Sequence, residues 1–579
     1  MCAAISAARR GIKVAIIQDR PVFGGNASSE IRMWICGANG KDNRETGIIE
    51  ELQLENRYRN PASNYSLWDS ILYEKIRFEP NITMLLNCTC NDAEMDGNRV
   101  YAVKAWQLTT QTWHRVEATL FADCSGDSIL APLTGAEFRH GREARSEFNE
   151  SIAPEKADRK TMGHSCLMQI REMTGPQTFI PPKWAYSYPG CDSFPYREHG
   201  IRESQNFWWL EVGGEKDTIH DTEEIRDELF KIAYGVWDHI KNHCKDKALA
   251  VNWALDWVGV LPGKRESRRY IGEHILTQDE VTREGRFDDL VSFGGWPMDD
   301  HHPEGFYYQG EPTVFHPAPS PFGIPYRCLY SKNVKNLFFA GRNISITHTA
   351  MSSTRVMATC ATVGQAVGTA AVLAVRHRLS PHGVYEQKMS QLQDMLQDDD
   401  CYLPWRKRPV PELTQKATLQ SSGKNAEVLR SGIDRSIGEH DNGWYGNIGD
   451  WVEYRFDCAT AIREVRIIFD SNLNWLIRKT KLSADEVHGE NDPAATTSRE
   501  MRCCYPLEYE PKTVPETIVK RFRITAEDEH GNRQVVFEES NNYQRLVKIP
   551  LAIEATAVQL IPLETWGSKK AHIFAWDLK

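Results

Sequence analysis

The sequence predicts an α/β domain with an inserted α+β region, followed by a C-terminal all-β sandwich. Three observations carry this. Residues 1–17 read as a small-residue helix, a glycine stop and a short apolar strand. Residues 337–343 form another short apolar strand ending in Ala340-Gly341-Arg342-Asn343, and the twenty residues 356–375 that follow are free of charge. From residue 425 onward, period-two alternation replaces helical periodicity.

The first ten residues favour a helix, Gly11 stops it as a C-terminal glycine does, and 14–17 is a buried strand. In a dinucleotide-binding βαβ unit these are the helix and the second strand. The first strand and its G-x-G-x-x-G turn are expected just upstream of Met1. Either the chain is a fragment, or its start codon is set too late, or the fold does without the strand. The completeness of the rest of the unit favours the first two. An acidic side chain after the second strand binds the adenosine ribose in such units; Gln18 holds that place here and Asp19 follows. Gly24-Gly25 permits a tight turn beside Asn26 and Ser28, although an isolated Gly-Gly is otherwise simply a loop.

Residues 118–121 read as a strand and lead into Ala122-Asp123-Cys124-Ser125-Gly126-Asp127, which taken alone is an Asp/Gly turn. The charge-free run 356–375 has the length of a membrane span. Its three Thr, two Gly, one Gln and many Ala suit close packing against a sheet or ligand better than lipid.

With 579 residues, 41% hydrophobic and 26% charged, the chain is globular and has room for two to four domains. A net charge of −10 argues against a nucleic-acid binder driven by phosphate attraction. Fourteen cysteines without a C-x-x-C show neither a disulfide framework nor a metal signature, so no metal is expected.

Together, the helix–strand start, Gly24–Ser29, Ala122–Asp127, 337–343, Arg355-Val356-Met357 and Gly364–Gly368 occur in one order over roughly residues 1–380. This set resembles the FAD-dependent oxidoreductase family of flavoproteins, glutathione-reductase-like and distantly similar to fumarate reductases and succinate dehydrogenases. The resemblance implies an FAD/NAD(P)-binding Rossmann-like three-layer domain over 1–140 and 331–380, truncated at its start, with a substrate or cap region over 141–330. It implies FAD as cofactor, with Gln18, Asp19, Gly24, Gly25, Asn26, Ser28, Asp123, Gly126, Asp127, Gly341, Arg342, Asn343, Arg355, Gly364 and Gly368 around it. An upstream extension carrying the strand and G-x-G-x-x-G is expected to restore tight FAD binding.

In the cap region, Ile225, Leu229, Ile232, Val236 and Ile240 predict an amphipathic helix over 221–243. Arg265-Glu266-Ser267-Arg268-Arg269 is a dense charge cluster, read as a solvated helix start or a functional group near the cofactor. The chemistry candidates are His301 and His302 in Asp299-Asp300-His301-His302, then His316, Arg327 and His348. A histidine could take the proton of a substrate hydroxyl while hydride moves to the flavin, and Arg327 or Arg355 could hold a negative group.

Residues 381–424 read as a helix and linker. Residues 425–579 resemble discoidin-like, galactose-binding-like modules, with Trp444 and Trp475 as glycan-stacking candidates or packing residues. The first functional expectation is an FAD enzyme acting on a small polar substrate such as a sugar or glycan-derived alcohol. The alternative is a glycan-binding protein with a degenerate flavin domain, and a lyase or hydrolase using the histidines is a third, smaller reading.

Overall fold

The computed structural model describes residues 1–202, 205–473 and 500–579. Helix Cys2–Arg9 is buried along all but its last residue. It closes with the Gly11 amide on the Ala8 carbonyl at 2.8 Å and leads into strand Val14–Ile17. That strand pairs in parallel with Ile82–Leu85, Val14 opposite Ile82. A second parallel pair joins Phe121–Asp123 to Leu337–Phe339, Phe121 opposite Leu337. Among the described residues, Val14–Ile17 and Phe121–Asp123 each keep one strand edge outside any sheet, and Ala15 and Ala122 are exposed. A further parallel strand would fit such edges.

The helix Met357–His377 is long and apolar enough to cross a membrane, yet 78% of its most apolar window is buried inside the protein. It packs on Cys2–Arg9 through two glycines. A Cβ on Gly368 would collide with the Ala3 carbonyl oxygen, and one on Gly364 would stand 3.5 Å from the Ala3 nitrogen. Gly368 therefore lets the two helices approach each other, whereas a side-chain carbon at Gly364 would make an ordinary contact.

In the cap region the expected helix runs Thr222–Asp238 and ends in a π-helical turn, His239–His243. Ile225, Leu229, Ile232, Val236 and Ile240 are buried as their spacing predicts, in one core with Phe207, Trp209 and Trp237. Strand His164–Ser165 lies between Glu211–Val212 and Gly263–Lys264. A hairpin of Met298–His301 and Thr313–His316 follows. Short strands thus bring Glu211, Lys264 and His301, distant in sequence, into one region.

The C-terminal part is all-β. Among the described residues, seven strands from Thr418–Ser421 to Lys570–Leu578 form one sheet, with Val452–Phe469 and Leu546–Thr565 as its long antiparallel central pair. Its core includes Trp444, Tyr454, Phe522 and Trp576. Residues 504–505 leave this unit: Cys504–Tyr505 pairs in parallel with Met168–Glu172 of the cap region. The stretch expected as a linker docks the sheet. Helix Pro381–Asp398 ends in Asp398-Asp399-Asp400; Lys548 meets Asp398 at 2.8 Å and Asp399 at 2.7 Å, and Arg545 meets Asp400 at 2.7 Å. Arg466, fully buried, reaches Asp434 at 2.9 Å and Asp577 at 3.3 Å. Breaking such a buried pair leaves an uncompensated charge, so these contacts fix how the sheet sits on the rest of the chain.

Candidate functional site

Four separate segments meet at one ion-pair chain. Asn26 donates its side-chain amide to the Lys264 carbonyl at 3.0 Å. Lys264 Nζ lies 2.8 Å from Asp127 Oδ2, and Arg342 Nη2 lies 2.7 Å from Asp127 Oδ1. Ser267 donates to the same Asp127 oxygen at 2.7 Å and accepts from Arg342 at 3.0 Å. Burial works against the Asp127 carboxylate, but Arg342 and Lys264 outweigh it and hold its pKa well below the usual range. The 24–28 loop, the 123–127 turn, the 263–269 segment and the 341–343 turn are thereby drawn together.

Both oxygens of Asp123 are engaged within the fold, by Ser125 N at 2.9 Å, Leu130 N at 2.9 Å and the Tyr270 hydroxyl at 2.6 Å. It builds the turn and presents no free carboxylate. Gln18 donates to the Val22 carbonyl at 3.0 Å, and exposed Asp19 lies 3.4 Å from Arg20. Ser28 donates to the Gly25 carbonyl at 2.7 Å, and a Cβ on Gly25 would meet nothing within 4 Å. Gly126 has φ +76° and backs onto the Arg342 guanidinium.

Gly341 is at φ +112°, and a Cβ there would meet only Asn343 Oδ1, at 3.4 Å. Asn343 is wholly buried. Its side-chain oxygen and nitrogen have no hydrogen-bond partner, and neither do Ser345 Oγ, Thr354 Oγ1 and Arg355 Nε, all buried. Buried polar groups are nearly always paired, so a run of unpaired ones from 343 to 355 suits a polar ligand.

The histidines separate into two kinds. His301 is buried between two carboxylates, with Nδ1 2.6 Å from Glu211 Oε2 and Nε2 3.2 Å from Asp299 Oδ1. Arg265 meets Glu211 at 3.1 Å and Arg355 meets Asp299 at 2.8 Å. The Trp208 ring stands edge-on to the imidazole at 5.3 Å. His348 is also buried, with Nδ1 2.8 Å from Glu266 and Nε2 3.3 Å from Asp300. Arg269, which meets Glu143 at 2.7 Å, pairs with Glu266 as well.

Burial opposes the charged form of His348, but Glu266 and Asp300 outweigh it and push its pKa up to about 10. His348 is therefore an imidazolium at neutral pH and has no lone pair to accept a substrate proton. The folded pKa lies above the ordinary 6.5, so this group's stability contribution is fully present below about pH 6.5 and lost as pH rises towards 10. Thermal melts between pH 6.5 and 10 are expected to fall more steeply for the wild type than for His348→Gln; parallel profiles would contradict the ion pair.

The remaining candidates fall outside this cluster. His302 stacks on Tyr308 at 3.5 Å and accepts from the Glu304 amide at 3.4 Å. His316 lies at the end of the hairpin, opposite Met298. Arg327 is held by Asp289 at 2.9 Å and lies over the Tyr385 ring. Trp444 is fully buried in the C-terminal core and offers no stacking face; Trp475 lies outside the described residues.

A model of the FAD dependent oxidoreductase family matches residues 1–396. The chain belongs to the FAD dependent oxidoreductase family. No curated protein matches it. Solved structures similar to part of the chain include the family 32 carbohydrate-binding module of Streptococcus pneumoniae EndoD. That module is 15% identical and covers 28% of this chain and 94% of its own, at a TM-score of 0.19. The family 32 module of C. perfringens NanJ, solved with galactose, is 8% identical over 28% of this chain and 94% of its own, at 0.19. The chitosan-binding module 1 of a Paenibacillus sp. IK-5 chitosanase/glucanase is 10% identical over 29% and 97%, at 0.18.

For a member of this family the open glycine turn and the unpaired atoms at 343–355 are an appropriate setting for FAD. Sequence reasoning passes over Glu211, Lys264 and Glu266 as individual residues. Each is a lone polar residue in a short strand or a charge cluster, and only the pairing of strands reveals its partner. It also passes over His164. That residue is fully buried, and burial with nearby Lys264 lowers its pKa to about 3, so it is neutral.

Proposed function

We propose that this chain is an FAD-dependent oxidoreductase that removes a hydride and a proton from a small hydroxyl-bearing substrate, a sugar or glycan-derived alcohol. The observation that carries the reading is the buried node Arg265–Glu211–His301–Asp299–Arg355. Oxidising an alcohol to a carbonyl breaks an O–H and a C–H bond. Bound FAD supplies the hydride acceptor. His301 takes the hydroxyl proton at Nε2, the substrate hydroxyl replacing the 3.2 Å contact with Asp299, while Glu211 at 2.6 Å holds the proton on Nδ1 and stabilises the imidazolium that results. Glu211, at the shorter distance, orients the ring, and the two arginines keep both carboxylates ionised. Asn26, Gly341, Arg342, Asn343 and Arg355 would hold the cofactor, with Gln18 and Asp19 at the end of the second strand.

A groove of about 360 Å³ lined by Phe179, Tyr234, Trp253, Asp256 and Trp257 lies in the cap region. Aromatic faces beside a carboxylate suit a sugar ring. Asp256 accepts from the Gln169 side chain, which in turn accepts from Arg32 at 2.7 Å, just beyond the 24–28 loop.

The test is anaerobic mixing of the FAD-loaded protein with a panel of sugars and polyols. At least one is expected to bleach the flavin absorbance. If dithionite bleaches it and no member of the panel does, the carbohydrate-alcohol assignment is wrong; if such sugars bind without bleaching, the protein is a glycan binder.

A further inference from the structure

Cys191, His199, His239 and Cys244 converge in the cap region, and their four ligand atoms all lie within 4.8 Å of one another. Their spacings, Cys-x7-His and His-x4-Cys on segments far apart, match no common finger pattern, so the sequence offers no sign of them. The fold brings them together in two steps. A short 3-10 turn, Cys191–Ser193, presents the first cysteine. The π-helical turn at the end of the long cap helix closes the Cys244 amide onto the His239 carbonyl at 2.7 Å, which puts residues five apart on one side of the turn.

Two of the six distances within the cluster are those of a tetrahedron, and the others lie within 4.8 Å. With metal–sulfur bonds of about 2.3 Å and metal–nitrogen bonds of about 2.05 Å, a tetrahedral zinc spaces two sulfurs about 3.8 Å apart and a sulfur and nitrogen about 3.6 Å apart. Here Cys191 Sγ lies 3.7 Å from Cys244 Sγ and 3.5 Å from His239 Nε2. The sulfur pair is much wider than a disulfide, whose bond is about 2.05 Å.

Both imidazoles are also oriented for a metal. His239 Nδ1 donates to the Tyr188 carbonyl at 2.7 Å, and His199 Nδ1 donates to the Arg197 carbonyl at 3.0 Å. Each backbone carbonyl fixes the proton on Nδ1 and leaves the Nε2 lone pair as the ligand. This is the outer contact that histidine ligands ordinarily make.

We infer that Cys191, Cys244, His199 and His239 bind one zinc ion through two thiolates and two Nε2 atoms. Binding ionises both thiols and releases two protons, so the filled site has no net charge and can sit half-buried beside an aromatic core. Four protein ligands close the coordination sphere, which makes the ion structural. Phe194 packs on both histidine rings, at 4.9 Å and 4.8 Å, and on Phe306 at 6.2 Å. The ion therefore ties the 191–199 loop and the end of the cap helix to the core that carries Trp209, two residues before Glu211. Thiolate and imidazole donors select zinc over magnesium or calcium.

The test uses the full chain. Elemental analysis of the purified wild type is expected to find one zinc per chain. After chelation, cobalt(II) is expected to give the visible bands of a tetrahedral site with thiolate-to-cobalt charge transfer in the near ultraviolet. Cys191→Ser and His199→Asn, at the two half-buried ligands, are expected to lose the zinc and to weaken those bands. Since a variant could fail to fold, the wild-type cobalt spectrum decides independently. A wild type that carries no zinc and gives no tetrahedral cobalt spectrum overturns the proposal. So does a Cys191–Cys244 disulfide found by mass spectrometry, or undiminished zinc in folded Cys191→Ser and His199→Asn proteins.

Discussion

His301→Ala is expected to slow substrate-driven flavin reduction by about a hundred- to ten-thousandfold, the usual loss when a general base is removed. Glu211, 2.6 Å from Nδ1, orients the ring, and Nε2 accepts the substrate proton in place of its 3.2 Å contact with Asp299. Nothing in the ion-pair chain Lys264–Asp127–Arg342 touches His301, so FAD should stay bound. His301→Gln keeps most of the shape and a hydrogen bond to Glu211 but cannot carry a proton at neutral pH, so it should be nearly as slow. His302→Ala and His316→Ala should remain close to wild type. Stopped-flow reduction with a working substrate measures all four. A near-wild-type rate in a folded, flavin-loaded His301→Ala protein would make the node structural.

Gly341→Val is expected to abolish flavin retention while the C-terminal sheet stays folded. At φ +112° a β-branched residue is strained, at a cost of order 1–3 kcal/mol. The larger effect is steric. A side chain there would enter the open space beside Asn343, where a cofactor must approach the backbone. Gly341→Ala should show the same direction with a smaller loss. The ratio of flavin absorbance to protein, together with a thermal melt reporting the sheet, is the measurement. Full flavin content in a folded Gly341→Val protein would remove the turn from the cofactor site.

Local signals read well where one short segment does one job. The glycine stop after the first helix, the strand ending in Gly341 and the amphipathic helix of the cap are legible because each follows from a period or a single backbone requirement. Signals shared by two jobs mislead. Gly368 belongs to a small-residue stripe, which serves helix packing as well as ligand approach, and Ala3 takes the space beside it. Trp444 reads as a candidate platform, but its place in the strand Trp444–Asn447 turns it into the core. Partners distant in sequence are not legible at all. Glu211 meets His301, and Cys191 meets Cys244, only because short strands and a π-helical turn bring them together.

The central claim is that these motifs form a flavoprotein. Its most direct measurement is a titration of the purified protein with FAD, followed by the shift and quenching of the flavin spectrum. The account predicts saturable binding that reaches one FAD per chain, lost in Gly341→Val and retained in His301→Ala. A folded wild-type protein that shows no saturable FAD binding would contradict it.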